Sequence, residues 1–221
     1  SYGDWTAAWY QWLLSDNPDN PMYGEYILFL RGNVNYRSIG DKEDGPRYLD
    51  PKAVYDEWTK DKCVTIYEDT AILIPILTSH YYIGEFYNGK KIRGIPELRY
   101  VTNKDTDGGS IWATIMKKGD KTTKIVSDLK EYRFESPLYF LSIPKNSKLR
   151  TKLDSPPKPG RYYAITVGYF VIIKSLHSGT YRVNFGGSNG SAYHTNSLYD
   201  IYVLKKRKDK VIDKSDKIMI K

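Results

Sequence analysis

The sequence predicts an all-β protein, a jelly-roll-like antiparallel β-sandwich with one short tryptophan-rich helix at its N-terminus. Aromatic and β-branched runs between residues 160 and 204 are separated by Gly and Ser turns, which is typical of antiparallel strands. Hydrophobic residues make up 40% of the chain, enough for a packed core, and the 21 tyrosines suit half-buried strand faces. We therefore expect a single sandwich domain over residues 1–204, followed by a basic extension over residues 205–221.

The first fifteen residues are predicted to form a helix that packs on the sandwich. Asp4 is the predicted N-cap, and two prolines within residues 15–21 end the helix. Its apolar residues fall on one face at helical spacing: Trp5, Ala8, Trp9, Trp12 and Leu13. Such a stripe forms either a platform for carbohydrate or lipid or, as the favoured interpretation, an anchor onto a sheet.

Roughly ten to twelve strands are predicted along the chain, enough for two packed sheets. Pro75 predicts a bulge or an edge position, whereas Asn88-Gly89 and residues 117–120 predict hairpin turns. Residues 54–58 are predicted to form a short helical turn. The main predicted strands span residues 26–30, 63–67, 71–77, 80–86, 111–116, 122–126, 132–134, 138–143, 162–167, 169–173, 178–187 and 197–204.

The net charge of +8 is concentrated at the C-terminal end of the chain. Residues 205–221 hold 8 Lys and Arg against 3 Asp, which leaves +3 for the rest. A nucleic-acid-binding protein spreads its basic residues over one face, so this pattern predicts no specific nucleic-acid site. Solubility or an acidic neighbour explains the extension equally well. It is predicted to pair as a hairpin through residues 210–212 and 217–220 and to reach a partner through Lys205, Lys206, Arg207 and Lys208.

The single cysteine, Cys63, excludes an intrachain disulfide and is interpreted as a buried thiol. A virus particle or an extracellular or cell-surface location is favoured, although a single cysteine is equally compatible with the cytoplasm. The longest apolar runs fall short of the roughly 18–20 residues that span a bilayer, so no membrane span is predicted.

Residues that carry catalytic chemistry are sparse. His80, His177 and His194 are far apart and are interpreted as surface or turn residues, so neither a metal site nor a cofactor is predicted. Cys63 lacks the Gly-rich elbow that activates a nucleophile. Among the carboxylates, Glu85 is the one to test for glycosidase chemistry, but a solvated or salt-bridged side chain is the favoured interpretation.

The Gly-rich run over residues 186–191 precedes neither Lys-Ser/Thr nor a helix, so it does not match a phosphate-binding loop. A loop at the end of a sandwich fits better, and such loops often carry binding contacts. The residues predicted to contact a ligand or partner, besides the basic run, are Trp58, Glu85, Trp112, Asn189 and Tyr193.

Four groups of segments follow one another along the chain: SYGDWT with Trp9 and Trp12, CVTI with ILIPI, YRFESP with IPKN, and VGYF with GTYRVNFGG. In this order they resemble an uncharacterised group of β-rich proteins from bacteria, archaea and environmental or large-virus sequences. Its members begin with a "YGEWTAKWWQW"-like helix and close with a "dGyw…pGxHxIxFgG…Y.ltV"-like strand pair. This chain departs from the pattern at Ser15-Asp16-Asn17, where the group has "SIP", and at Tyr181, where it has His. The resemblance implies no reaction.

Two function hypotheses follow from these observations. In the first, the chain is a non-enzymatic structural protein, a jelly-roll component of a virus particle or surface assembly whose partners are copies of itself or other structural proteins. In the second, it is a carbohydrate-binding β-sandwich module, in which aromatic side chains stack on sugar rings. An enzyme ranks third, because we find no catalytic signature in the chain.

Overall fold

Two β-sheets packed face to face form the body of the molecule in a computed structural model of the chain. The structure describes residues 1–14, 22–23, 27–30, 34–36, 63–107, 110–119, 123–125, 129–146, 158–174, 176–189 and 193–205.

Two helices, a 3-10 helix and fourteen strands make up this part of the chain. The helices are α1 (Tyr2–Leu13), α2 (Ile95–Lys104) and the 3-10 helix (Leu129–Tyr132). The strands are β1 (Met22–Tyr23), β2 (Ile27–Phe29), β3 (Val34–Tyr36), β4 (Cys63–Tyr67), β5 (Ala71–Tyr82), β6 (Phe86–Tyr87), β7 (Lys90–Lys91), β8 (Ser110–Lys117), β9 (Thr123–Ile125), β10 (Arg133–Glu135), β11 (Tyr139–Ile143), β12 (Gly160–Ile173), β13 (Gly179–Ser188) and β14 (Tyr193–Leu204).

Both large sheets have six strands. Sheet A has the order β1-β2-β5-β12-β10, and β11 pairs with β12 beside β10. Sheet B has the order β3-β14-β13-β8-β9, and β4 pairs with β14. Strands β6 and β7 form a separate hairpin. The prediction of a β-rich, sandwich-like fold is confirmed.

The prediction of purely antiparallel sheets is wrong. Strand β2 runs parallel to β5, and β4 runs parallel to β14. A parallel pair needs a crossover connection, and the chain between β2 and β5 passes through β3 and β4 of the other sheet. The alternation of apolar residues predicts which face of a strand is buried but not the direction of its neighbour, so the sequence held no signal for these pairs.

The main core lies between the inner faces of the two sheets. Its centre is fully buried and consists of aliphatic and aromatic side chains from both sheets: Leu28, Ile72, Ile74, Ile76, Val183, Phe185 and Ile201. A hydrogen bond of 2.7 Å from the Thr195 hydroxyl to the carbonyl of Ile76 links the sheets within this core. Burial of these side chains supplies the largest favourable contribution to folding.

Helix α1 covers the outer face of sheet A. Ser1, not Asp4, is its N-cap: the two residues form a capping box in which Asp4 occupies the third helical position. The indoles of Trp9 and Trp12 are buried, whereas Trp5 is only partly buried. The interpretation of the tryptophan stripe as an anchor onto a sheet is therefore confirmed.

Helix α2 was not predicted, and it covers the inner face of sheet A beyond the end of sheet B. Its buried residues Leu98 and Val101 pack against Ile165 and Val167 of β12. Pro96 in the first turn, with Leu98, Val101 and Thr102 at helical spacing, is a helix signal that the sequence does contain. The 3-10 helix is likewise an element that the strand pattern did not predict.

The local turn predictions within the described residues are confirmed. The register between β5 and β12 shifts at Ile76, next to Pro75, which is the predicted bulge. Asn88 and Gly89 both adopt positive φ, 47° and 77°, as a tight hairpin turn between β6 and β7 requires. Strands β8 and β9 pair as the predicted antiparallel hairpin, and residue 120 of its predicted turn lies outside the described residues. The predicted helical turn at 54–58 and the C-terminal hairpin at 210–220 lie outside the described residues.

Candidate functional site

Three of the predicted contact residues come together at one end of sheet B. Trp112 lies on β8, Asn189 directly follows β13, and Tyr193 begins β14. Ser188 pairs with Ser110 on one side and with His194 on the other, and each of the three positions lies within two residues of this row along its strand. Lys205 lies at the opposite end of β14, and Glu85 lies in the turn between β5 and β6. Trp58, Lys206, Arg207 and Lys208 lie outside the described residues.

Trp112 projects from the outer face of sheet B. Its neighbour Ala113 is opposite Phe185 in the core, and alternation along β8 places the indole on the other face. Trp112 itself is opposite Gly186, which has no side chain to fill the space beside the ring. The indole is partly exposed, so it is available for stacking contacts.

The same outer face carries polar groups next to the indole. Along β13, Asn184 precedes Gly186 by two residues, and its amide oxygen is buried without a hydrogen-bond partner among the described residues. Arg182 binds Asp200 through two hydrogen bonds of 2.8 and 2.9 Å. These bonds lower the pKa of the Asp200 carboxyl, because they stabilise its charged form. The face therefore combines an aromatic ring, an amide and a mutually neutralised ion pair.

Glu85 is only partly exposed, so it is less solvated than the favoured interpretation of the sequence expects. It lies in the turn after β5, where its Oε2 accepts a hydrogen bond of 3.1 Å from the backbone N–H of Tyr82. Among the described residues, no cation forms an ion pair with it. Burial raises the pKa of the Glu85 carboxyl to about 7, an effect that the single hydrogen bond opposes only in part.

His80 lies within strand β5 and is partly buried, so it is neither a turn residue nor a fully exposed surface residue as the sequence predicted. Its ring stacks on Tyr10 of α1 with centroids 3.5 Å apart. Its Nδ1 lies 3.1 Å from the Thr166 hydroxyl and 3.2 Å from that of Tyr139, and burial lowers the pKa of the imidazole to about 3. Thr166 is fully buried. The imidazole thus belongs to a cluster of hydrogen-bonded polar groups beneath α1, and the signal for its partial burial is its place within the long strand β5.

Charged side chains next to α2 serve to hold that helix. The Arg133 guanidinium donates to the carbonyl and side-chain oxygens of Asn103 at 3.2 and 2.9 Å, and to Asp107 at 3.0 Å. Arg99 forms an ion pair with Glu135. These contacts join α2 to β10, so the cluster of charges has a structural use.

An exposed aromatic patch lies at the far end of sheet A, and the sequence analysis missed it. We define it by Phe140, Tyr163 and Arg161. Phe140 and Tyr163 are 50% and 45% exposed, form a direct cross-strand pair, and hold their ring centroids 4.3 Å apart. The Arg161 guanidinium lies over the Phe140 ring at 4.9 Å. Sheet B and α2 leave this stretch of sheet A uncovered, and the alternation of residues along a strand does not predict where such a gap lies.

The edge of β11 next to this patch is closed by a side chain of α1. The Gln11 amide donates to the carbonyl of Ser142 and accepts from its N–H, both at 2.8 Å. These are the bonds that another strand would make at this position. Contact with another molecule at this end of sheet A is therefore expected through the face that carries the patch rather than through the edge.

No arrangement of ligands for a metal ion is found in the part of the chain that the structure describes: it contains no group of three or more His, Cys, Asp and Glu side chains placed to hold one. Of the described helices, neither is long and apolar enough to cross a membrane.

The chain matches no family model, no curated protein and no solved structure. The resemblance to the uncharacterised β-rich group therefore stays a prediction that rests on the order of its motifs.

Proposed function

We propose that the protein is a non-enzymatic interaction protein, a component of a larger assembly such as a virus particle or a surface layer, with copies of itself or other structural proteins as partners. The observation that carries this proposal is the exposed aromatic patch of Phe140, Tyr163 and Arg161. Aromatic residues and arginine are enriched where protein interfaces are buried. A jelly-roll arrangement, which recurs in capsid proteins, would fit this role by analogy of fold.

The chemistry of the buried polar groups supports a role without catalysis. His80 is partly buried and bonded to Thr166 and Tyr139, and the charged residues Arg133 and Glu135 hold α2 in place. An enzyme instead needs titratable groups that converge on an accessible site. The patch contrasts with these structural polar groups, because its two rings pack on each other and still expose about half of their surface to water. Covering that surface in an assembly would be favourable.

Changing Phe140 to Glu tests this proposal. We expect light scattering after size exclusion to show a discrete oligomer for the unchanged chain, and a dissociation constant at least about tenfold higher for the variant, since a charge would be buried in the contact. Tyr100→Glu is the matched control, because Tyr100 is 64% exposed on α2, outside the patch. A chain that stays monomeric at high concentration, or a Phe140→Glu variant that assembles as the unchanged chain does, would overturn the proposal.

A second candidate function, carbohydrate binding, is favoured by one observation on the other sheet. The partly exposed indole of Trp112 stands opposite Gly186, and neutral or internally paired polar groups flank it. Sugar rings stack on such an indole through their C–H faces, while amides and paired charges bind their hydroxyl groups. This face carries the site we propose for a glycan.

The carbohydrate hypothesis makes its own prediction. A printed glycan array, followed by titration with the best-bound soluble oligosaccharide, should show binding that Trp112→Ala weakens by at least about tenfold, because the variant removes the stacking surface. Tyr100→Ala should bind as the unchanged chain does. Binding to no glycan, or equal binding by the Trp112 variant, would rule this function out.

A further inference from the structure

The turn that contains Glu85 is closed by a pair of hydrogen bonds to one residue. The Tyr82 N–H donates to the Glu85 side chain, and the Glu85 N–H donates to the carbonyl of Tyr82, both at 3.1 Å. Between them, the Ile83 N–H donates to the carbonyl of Tyr163 on β12 at 2.8 Å. The carboxyl group thus lies at the point where β5 ends and the chain turns into the hairpin.

The same turn fixes the connection from β5 to α2. The Gly84 N–H donates to the carbonyl of Ile92 at 2.9 Å, and the Ile92 N–H donates to the carbonyl of Glu85 at 2.8 Å. Ile92 is 1% exposed and packs with Leu98 of α2. Residues 82–92 therefore form a closed loop with the carboxyl group of Glu85 at one end and a buried contact to α2 at the other.

The groups around Glu85 do little to stabilise a negative charge. Strand β5 presents the phenols of Tyr81 and Tyr82, and β12 presents Tyr162, whose ring lies 4.7 Å from that of Tyr82. On α2's C-terminal side, the carboxylate of Asp105 accepts hydrogen bonds from Tyr81 and from Tyr87 of β6. On the hairpin, Lys90 and Lys91 are exposed on β7, and the Lys91 side chain would lie 3.8 Å from a Cβ added at Gly84.

We propose that residues 82–92 form a pH-responsive latch, closed onto β5 and α2 when Glu85 is protonated and loosened when Glu85 ionises. The physical cause is that a carboxylate with one hydrogen bond, and with no paired cation among the described residues, is better solvated outside the fold. Opening the turn would release the Gly84 and Ile92 amides without separating the two sheets. The latch is independent of the proposed function, because its readout is amide exchange and not assembly or ligand binding.

The direction of the pH effect follows from the pKa of Glu85. Its folded value of about 7 lies above the ordinary value of 4.5. The protonated form therefore favours the closed state, and the stabilisation is complete below about pH 4.5 and is lost as the pH rises through about 7. Since each pKa unit corresponds to a tenfold change in the equilibrium, a change of at least about tenfold is expected between pH 5 and pH 8.

Amide hydrogen exchange on the full chain tests the latch. We expect the protection of the Gly84 and Ile92 amides, corrected for the intrinsic effect of pH on exchange, to fall at least about tenfold from pH 5 to pH 8. In Glu85→Gln, which keeps an oxygen for the Tyr82 N–H but cannot ionise, protection should stay high at both pH values. Glu97→Gln is the matched control, because Glu97 also accepts a backbone N–H, that of Arg93 at 2.9 Å, but is exposed.

Two results would overturn the latch. One is a Glu85→Gln variant whose protection falls with pH as in the unchanged chain. The other is ionisation of the Glu85 carboxyl at its ordinary pKa of 4.5, observed by carbon NMR. This measurement uses the unchanged chain, so it does not depend on whether the variant folds.

Discussion

Replacing Trp9 by Ala should lower the free energy of unfolding by about 3–5 kcal/mol, the range for removing a large buried aromatic side chain. Trp9 is 3% exposed and packs edge-on against Phe170 of β12 with ring centroids 5.8 Å apart. Its indole N–H also donates a hydrogen bond of 2.8 Å to the carbonyl of Leu30. The substitution therefore leaves both a cavity and a buried acceptor without its donor.

Urea denaturation followed by circular dichroism measures this loss. The Tyr100→Ala variant is the control, since Tyr100 is an aromatic residue of α2 that is 64% exposed, and we expect it to change stability by less than about 1 kcal/mol. Trp9→Phe should fall between the two, because it keeps part of the ring contact but loses the hydrogen bond. A loss below about 1 kcal/mol in Trp9→Ala would mean that α1 is not anchored to sheet A as described.

A single methyl group at Gly168 should be nearly as damaging, with an expected loss of about 2–4 kcal/mol. Gly168 lies in the middle of β12, between β10 and β5. A Cβ there would lie 2.5 Å from the carbonyl oxygen of Leu77 and 2.8 Å from the Cα of Thr78. Both are backbone atoms, so the methyl group fits only if the two central strands of sheet A move apart.

Gly94→Ala is the matched control for this prediction. Gly94 has an extended backbone, and an added Cβ would meet nothing closer than 3.8 Å. We expect it to cost about 1 kcal/mol or less, the effect of a poorer N-cap for α2. Equal stabilities of the two variants in thermal or urea denaturation would contradict the strand packing around Gly168.

Local pattern in the sequence determined much of the secondary structure. Alternating aromatic and β-branched residues predicted the long strands β5, β12, β13 and β14, and Asn88-Gly89 predicted its turn, because these signals depend on neighbours within a few residues. The tryptophan spacing predicted α1 and its buried face. Helix α2 has equally local signals, with Pro96 in the first turn and Leu98 and Val101 three residues apart, but they span only ten residues within a chain whose pattern is otherwise that of strands.

Only the tertiary structure decided which strands are parallel, which polar groups are buried and which apolar groups are exposed. His80 lies in a strand whose outward side chains would be solvated if Tyr10 of α1 did not cover them. Glu85 is a turn residue whose pKa rises because the hairpin and α2 enclose it. Phe140 alternates like a core residue but lies where neither sheet B nor α2 reaches. In each case the surroundings of the side chain are formed by residues distant in the sequence. Whether those residues cover the side chain decides how far it is buried, and burial in turn decides the free-energy cost of charging it.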